Sequence, residues 1–137
     1  MSEFGIKSRE IRDELHHIWQ EILDEAIKSD YFDFSLVDGY RSNEQQEKEF
    51  AAGNSKAHAG ESAHNYLPSF GVDLIPYPSE YKDPQAMLLL AGHIIGTAER
   101  LGYKVTCGCD WDRDGMVIDT TFRDFWHFEL TDWRQMI

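Results

Sequence analysis

The sequence predicts an α+β domain, a small and mainly antiparallel sheet packed with helices. Two long segments place apolar residues at helical spacing, and several short apolar stretches that do not follow one another directly read as strands. No run of about 18 apolar residues exists, so no membrane span is expected. At 137 residues, with 42% hydrophobic and 13% aromatic side chains, the chain is expected to form one domain over residues 1–137 with a core of its own.

From Ser8 to about Ser29, Ile11, Leu15, Ile18, Ile22 and Ala26 recur three or four positions apart, which predicts a single amphipathic helix. His16 and His17 lie on it about 100° apart around the axis, so they do not share a face as ligands. Phe32 to Asp38 alternates as a strand and stops at Gly39. Ser42 and Gln45 then fit a capping box that opens a helix reaching about Ala52. Gly53 to Glu61 is small and polar and reads as a loop, carrying His58. Val72 to Ile75 is a short buried strand bounded by Pro76 and Pro78.

Asp83-Pro84 is a helix start, with Asp as cap and Pro in the first turn. Met87, Leu90, Ala91, Ile94, Ala98 and Leu101 give that helix a wide apolar face, and Gly102 closes it. Such a helix belongs at the centre of the core, with His93 as a packing or surface residue. Tyr103 to Thr106 reads as a further strand, and downstream His127 opens an alternating one.

The formal charge of −12, from 25 acidic and 13 basic residues, repels phosphate backbones and argues against a nucleic-acid partner. The start Met1 to Lys7 lacks the basic and apolar stretches of a secretory signal, so a cytoplasmic location is expected. Cys107 and Cys109 are the only cysteines, two positions apart on a strand-like stretch. They predict a reduced compartment without a disulfide framework.

Two clusters carry chemistry. Ser62-Ala63-His64 leads through a turn to Asp73 on an apolar strand, and far downstream Asp124 precedes His127 by three positions. His64, Asp73 and His127 make a three-ligand zinc set that leaves a fourth position open for water, as a catalytic site requires. His58 is the rival to His64 but lacks a following strand. Asp124 is left over as a candidate base. On a straight strand Asp124 and His127 would face opposite sides, so an irregular turn is expected around Phe125 and Trp126. Separately, Asp110, Asp112 and Asp114 with Gly115 match the first half of a calcium loop. The second half departs, with Thr121 at the twelfth position and Asp119 as a substitute ligand.

These residues resemble the zinc D-alanyl-D-alanine carboxypeptidase and L-alanyl-D-glutamate endopeptidase family, including small phage endolysins. The pattern Ser-x-His, Asp on a strand, then an acid, two residues and His is carried by Ser62, His64, Asp73, Asp124 and His127. Gly39-Tyr40-Arg41-Ser42 with Gln45 resembles the family's Gly-x-Arg-Ser/Thr segment, and Gly108-Cys109-Asp110-Trp111 its Gly-x-Asp-Trp element. The resemblance spans residues 35 to 130. Eight residues separate His64 from Asp73 where six are commoner, with Leu67-Pro68-Ser69 as the insertion.

The resemblance implies a zinc site on the sheet and its adjoining turns and a peptidoglycan stem peptide as substrate; a monomer is expected. It implies Asp124 as base and Arg41 as the cation that holds an oxyanion or a substrate carboxylate. Ser62, Gln45 and Trp111 are then expected to contact substrate. A signal-less phage endolysin would wait in the host cytoplasm until a holin opens the membrane. The alternatives are a D-alanyl-D-alanine carboxypeptidase and a non-catalytic zinc module of hedgehog type.

Overall fold

The computed structural model describes residues 3–117 and 124–137. Its helices are α1 (Ile6–Asp13), α2 (His17–Ala26), α3 (Asn43–Ala51) and α4 (Pro84–Arg100), and its strands β1 (Phe34–Asp38), β2 (Gly71–Pro76), β3 (Val105–Gly108) and β4 (Asp124–Leu130). Short 3-10 turns occupy Ala63–Asn65, Glu80–Lys82 and Trp133–Met136. The class is α+β, as expected.

The expected helix from Ser8 to Ser29 is instead two helices. At the break, Ser69 donates its N–H to the Glu14 carbonyl at 2.8 Å, and His16 donates its own to the Ser69 carbonyl at 2.9 Å. Residues 14 to 16 are thus claimed by the segment leading into β2, and this tertiary pairing overrides a continuous apolar period. His16 then restarts the helix as its cap, Nδ1 accepting from the Ile18 N–H at 3.2 Å. The other helices follow their caps. Ser42 accepts from the Gln45 N–H and Asp83 from the Ala86 N–H, and Gly102 closes α4 at φ +88°.

The strands lie in the order β1-β2-β4-β3, and every neighbouring pair is antiparallel. One face is covered by α2 and α4. Trp19, Ile22 and Leu23 from α2 meet Leu90, Ile94 and Ala98 from α4 and Val72, Leu74, Phe128 and Leu130 from the sheet, all buried. Burial of this apolar area is the main source of stability. Trp19 enters without an orphaned N–H, because Nε1 donates to the Phe70 carbonyl at 2.7 Å. His93 packs as expected, Nε2 lying 2.9 Å from the Ala26 carbonyl.

Alternation fixes what the opposite face carries. With Val72 and Leu74 in the core, Asp73 points away from it; with Phe128 and Leu130 in the core, so do His127 and Glu129. Between β3 and β4 the register jumps from Cys107 opposite Phe128 to Gly108 opposite Asp124. Phe125, Trp126 and His127 have no partners on β3, which is the expected irregularity and works as a bulge. Cys107 and Cys109 are free and buried on the β3 side. Hydrogen bonding with Cys109, and then burial, push the Cys107 thiol well above its ordinary range, as suits a packing residue.

Gly108 lets the bulge close, because a Cβ there would collide with the Asp124 carbonyl and come within 2.8 Å of its Cβ. Gly92, on the exposed side of α4, has nothing within 4 Å of such a Cβ. Gly108→Ala is therefore expected to cost about 1–3 kcal/mol by overpacking. Gly92→Ala should instead stabilise by about 1 kcal/mol through helix propensity. Urea unfolding of the two variants beside wild type checks both signs.

Candidate functional site

Asp73 on β2 and His127 on β4 are direct antiparallel partners, so both side chains rise from the same spot on the open face. His64 is brought over them by the 3-10 turn Ala63–Asn65. Ser62 caps that turn, its Oγ accepting from the His64 N–H at 3.2 Å, while Asn65 Oδ1 accepts from the Ser62 N–H at 3.0 Å. The reciprocal capping box therefore sits here, rather than at the expected position opening α3. Phe70 N–H donates to the Ala63 carbonyl at 3.1 Å and Arg41 N–H to the His64 carbonyl at 2.7 Å, which docks the turn on β2 and on the Arg41 corner. The longer His64 to Asp73 connection still brings the two side chains together. Its Leu67 projects into solvent, while fully buried Ser69 donates its hydroxyl to the Gly71 carbonyl at 2.7 Å.

The donor atoms converge. His64 Nε2 lies 3.0 Å from Asp73 Oδ1 and 3.1 Å from His127 Nδ1, and the latter two are 3.3 Å apart. The outer ring nitrogens decide which inner ones carry lone pairs. His64 Nδ1 is 2.6 Å from the Gly39 carbonyl and His127 Nε2 is 2.7 Å from Glu129 Oε1, and both oxygens only accept. Each outer nitrogen therefore holds the hydrogen, leaving His64 Nε2 and His127 Nδ1 free to ligate. Two imidazole nitrogens and one carboxylate oxygen, aimed at one point in a water-accessible cleft, fit a divalent metal with an open position.

The charges agree. Burial would lower the His127 pKa, but its hydrogen bonds to Asp73 and Glu129 outweigh burial and push it up to about 10. For Asp73 burial would raise the pKa, yet the charge of His64 and the hydrogen bonds from His127 and His64 hold the carboxyl well below its usual range. Both shifts favour positive charge at the cluster, the kind of charge a divalent cation would supply there.

Around the cluster runs a cleft of about 1390 Å³ lined by Arg41, Gln45, Ser62, Trp111, Asp124 and Trp126, among others. Every expected catalytic and substrate-contacting residue is in that lining. Asp124 Oδ1 and Arg41 Nε are the side-chain atoms that, among the described residues, are buried without a hydrogen-bond partner. Burial raises the Asp124 pKa to about 6, against the pull of His127 and with a further push from Asp73. Arg41 is held by Asp38 at 2.8 Å and Gln46 at 2.9 Å, with Asp73 Oδ2 at 3.9 Å. The Trp111 ring stands 5.5 Å from that of His127, and Trp126 meets Tyr81 edge-on at 5.6 Å. His58 lies outside the cluster, exposed and 3.2 Å from Glu47.

Asp110, Asp112 and Asp114 also bring carboxylate oxygens together, but as an acidic turn held by its own amides. Asp110 accepts from the N–H groups of Asp114 at 3.3 Å and Gly115 at 2.8 Å, and Asp114 from that of Met116 at 2.7 Å. Calcium gains no support from it. Thr121 and Asp119, the other members of the calcium pattern, lie outside the described residues.

Two residues escape a reading by motif. Gln46, fully buried, accepts from Arg41 and Asn65 and donates to Ser55 Oγ and the Ala57 carbonyl. It ties the Arg41 corner, the His64 turn and the loop together, whereas its neighbour Gln45 is exposed on the cleft rim. Glu129 holds His127. Its only signal in the sequence is its place two residues beyond His127, on the same strand face. Gln46→Leu should cost about 2–3 kcal/mol by stranding buried partners, and Gln45→Ala should stay within about 0.5 kcal/mol. Denaturant titration separates the two.

Comparison with known proteins gives the relatives. The sequence model described as phage L-alanyl-D-glutamate peptidase matches residues 1–131. Among solved structures, the L-Ala D-Glu endopeptidase ChiX of Serratia marcescens is similar with a TM-score of 0.77 at 24% identity, over 97% of this chain and 92% of that one. The LD-carboxypeptidase LdcB is similar with a TM-score of 0.51 at 17% identity, over 98% of this chain and 66% of that one. No curated protein sequence matches. The two structures speak for the fold, and the family match runs through both chemical clusters: the chain belongs to the phage L-alanyl-D-glutamate peptidase family.

Proposed function

We propose that the protein is a zinc-dependent endopeptidase that hydrolyses the L-alanyl-D-glutamate bond of the peptidoglycan stem peptide and serves as a phage endolysin in host lysis. The observation that carries this reading is the convergence of His64, Asp73 and His127 beside the unpartnered carboxylate oxygen of Asp124. A purely structural metal site has no use for that oxygen.

Zinc held by His64 Nε2, Asp73 and His127 Nδ1 would supply Lewis-acid activation of water and of the scissile carbonyl. Asp124 takes the proton of the attacking water and returns it to the leaving D-glutamate nitrogen. A carboxyl raised by burial is suited to both halves of that transfer. Arg41, kept from collapsing onto Asp73 by Asp38 and Gln46, offers fixed positive charge to the developing oxyanion or to a substrate carboxylate. Ser62, Gln45 and Trp111 contact the peptide from the cleft walls. No described helix is long and apolar enough to cross a membrane. We assign the protein to the host cytoplasm, reaching the wall after a holin opens the membrane.

Mass spectrometry of purified muropeptides incubated with the protein, with and without a chelator, tests the reaction. Release of the stem peptide with L-alanine left on the sugar is expected, and only without chelator. Loss of one terminal alanine would make it a carboxypeptidase, and no metal-dependent cleavage would leave a hedgehog-type binding module.

Asp124→Asn is expected to keep its zinc while losing about 10²–10⁴-fold in kcat. Because Asp124 acts ionised, wild-type kcat/KM should rise with pH through an acid limb at or below about 6, a nearby dication lowering the pKa from its metal-free value. Zinc affinity itself should fall about tenfold per unit as pH drops from 8 to 6, since one proton on His127 must leave. Chelator competition across that range checks the slope, and a flat profile would contradict it.

A further inference from the structure

We propose that Glu129 is a positioning residue for the metal centre: it holds His127 with Nδ1 toward His64 and Asp73, and through Trp133 it couples that ligand to the C-terminal turn. The inference rests on the reading of the site as a metal centre but not on the bond cleaved. Glu129 Oε1 is 2.7 Å from His127 Nε2, and its other oxygen accepts from Trp133 Nε1 at 3.0 Å. Two N–H groups converge on one side chain, and only a carboxylate presents an acceptor to each.

The second donor makes the first arrangement selective. Trp133 is buried, stacked near Phe70 at 6.2 Å and covered by the Arg134 guanidinium at 4.4 Å, so its N–H direction is fixed. An amide at position 129 would face two donors with one oxygen. If that oxygen went to Trp133, the NH2 group would point at His127 Nε2, which then has to accept, and the ring hydrogen would move to Nδ1, the ligating atom. Trp133, from a turn outside the cleft chemistry, thus makes a carboxylate rather than an amide the side chain that position 129 needs to keep Nδ1 free.

The test uses Zn²⁺ alone as probe, with affinity read by chelator competition and folding by circular dichroism. Glu129→Gln should weaken Zn²⁺ binding about 10–100-fold with the fold retained. Trp133→Phe should leave affinity within about threefold, since the bond from His127 to Glu129 survives. The double variant should recover most of the loss, because without the indole N–H the amide oxygen is free to accept from His127. A merely structural role predicts no recovery.

Nitrogen NMR of zinc-loaded wild type reads the tautomer directly, whatever the variants do. Nδ1 bound and Nε2 protonated is expected. Ligation through Nε2, or a Glu129→Gln variant that binds Zn²⁺ as tightly as wild type, would overturn the inference while leaving the peptidase reading intact. Absence of Zn²⁺ uptake by wild type would instead overturn the metal reading, and this inference with it.

Discussion

The pairing of Asp73 with His127 across β2 and β4 is the constraint on which the site depends. A slip of either strand by one residue would send its Asp73 or His127 into the core and bring Val72 or Phe128 to the open face. That register is held by the core itself: Val72, Leu74, Phe128 and Leu130 pack under α2 and α4 and can do so in one phase only. Hydrophobic burial on one side of the sheet thereby fixes chemistry on the other. His64 adds no strand, only a capped turn docked on β2 and tied through its backbone to Arg41.

The bulge at Phe125 to His127 solves the problem that the strand period creates. Asp124 and His127 are three apart and belong on opposite faces of a regular strand. Breaking the pairing with β3 at Gly108 turns Asp124 back into the cleft, and the absence of a side chain at Gly108 makes room for it. The cost is a carboxylate oxygen buried without a partner. Local destabilisation of that kind is characteristic of functional sites.

Much of this was legible in the sequence, for identifiable reasons. Asp83-Pro84 and Gly102 bracket α4, Ser42 opens α3, and the chemistry of caps is local. The convergence of His64, Asp73 and His127 was legible because residue type and order carry it, and the bulge because the acid and histidine positions demanded one. The break in the first helix was not, since it depends on Ser69, more than fifty residues away. Gln46 and Glu129 were missed for the same reason. Their roles consist of partners on other segments, and a Gln beside another Gln, or a Glu on an acidic chain, carries no local mark. The acidic turn matches a calcium loop in its spacing alone: Asp110 and Asp114 accept from neighbouring N–H groups, and nothing in the structure adds support for an ion there.

X-ray absorption at the zinc edge of the zinc-loaded protein tests the centre most directly. Two imidazole nitrogens at about 2.0–2.1 Å and carboxylate oxygen at about 2.0–2.2 Å, with no sulfur, are the result that His64, Asp73 and His127 require. A sulfur shell near 2.3 Å would place the metal on Cys107 and Cys109 instead and contradict the account.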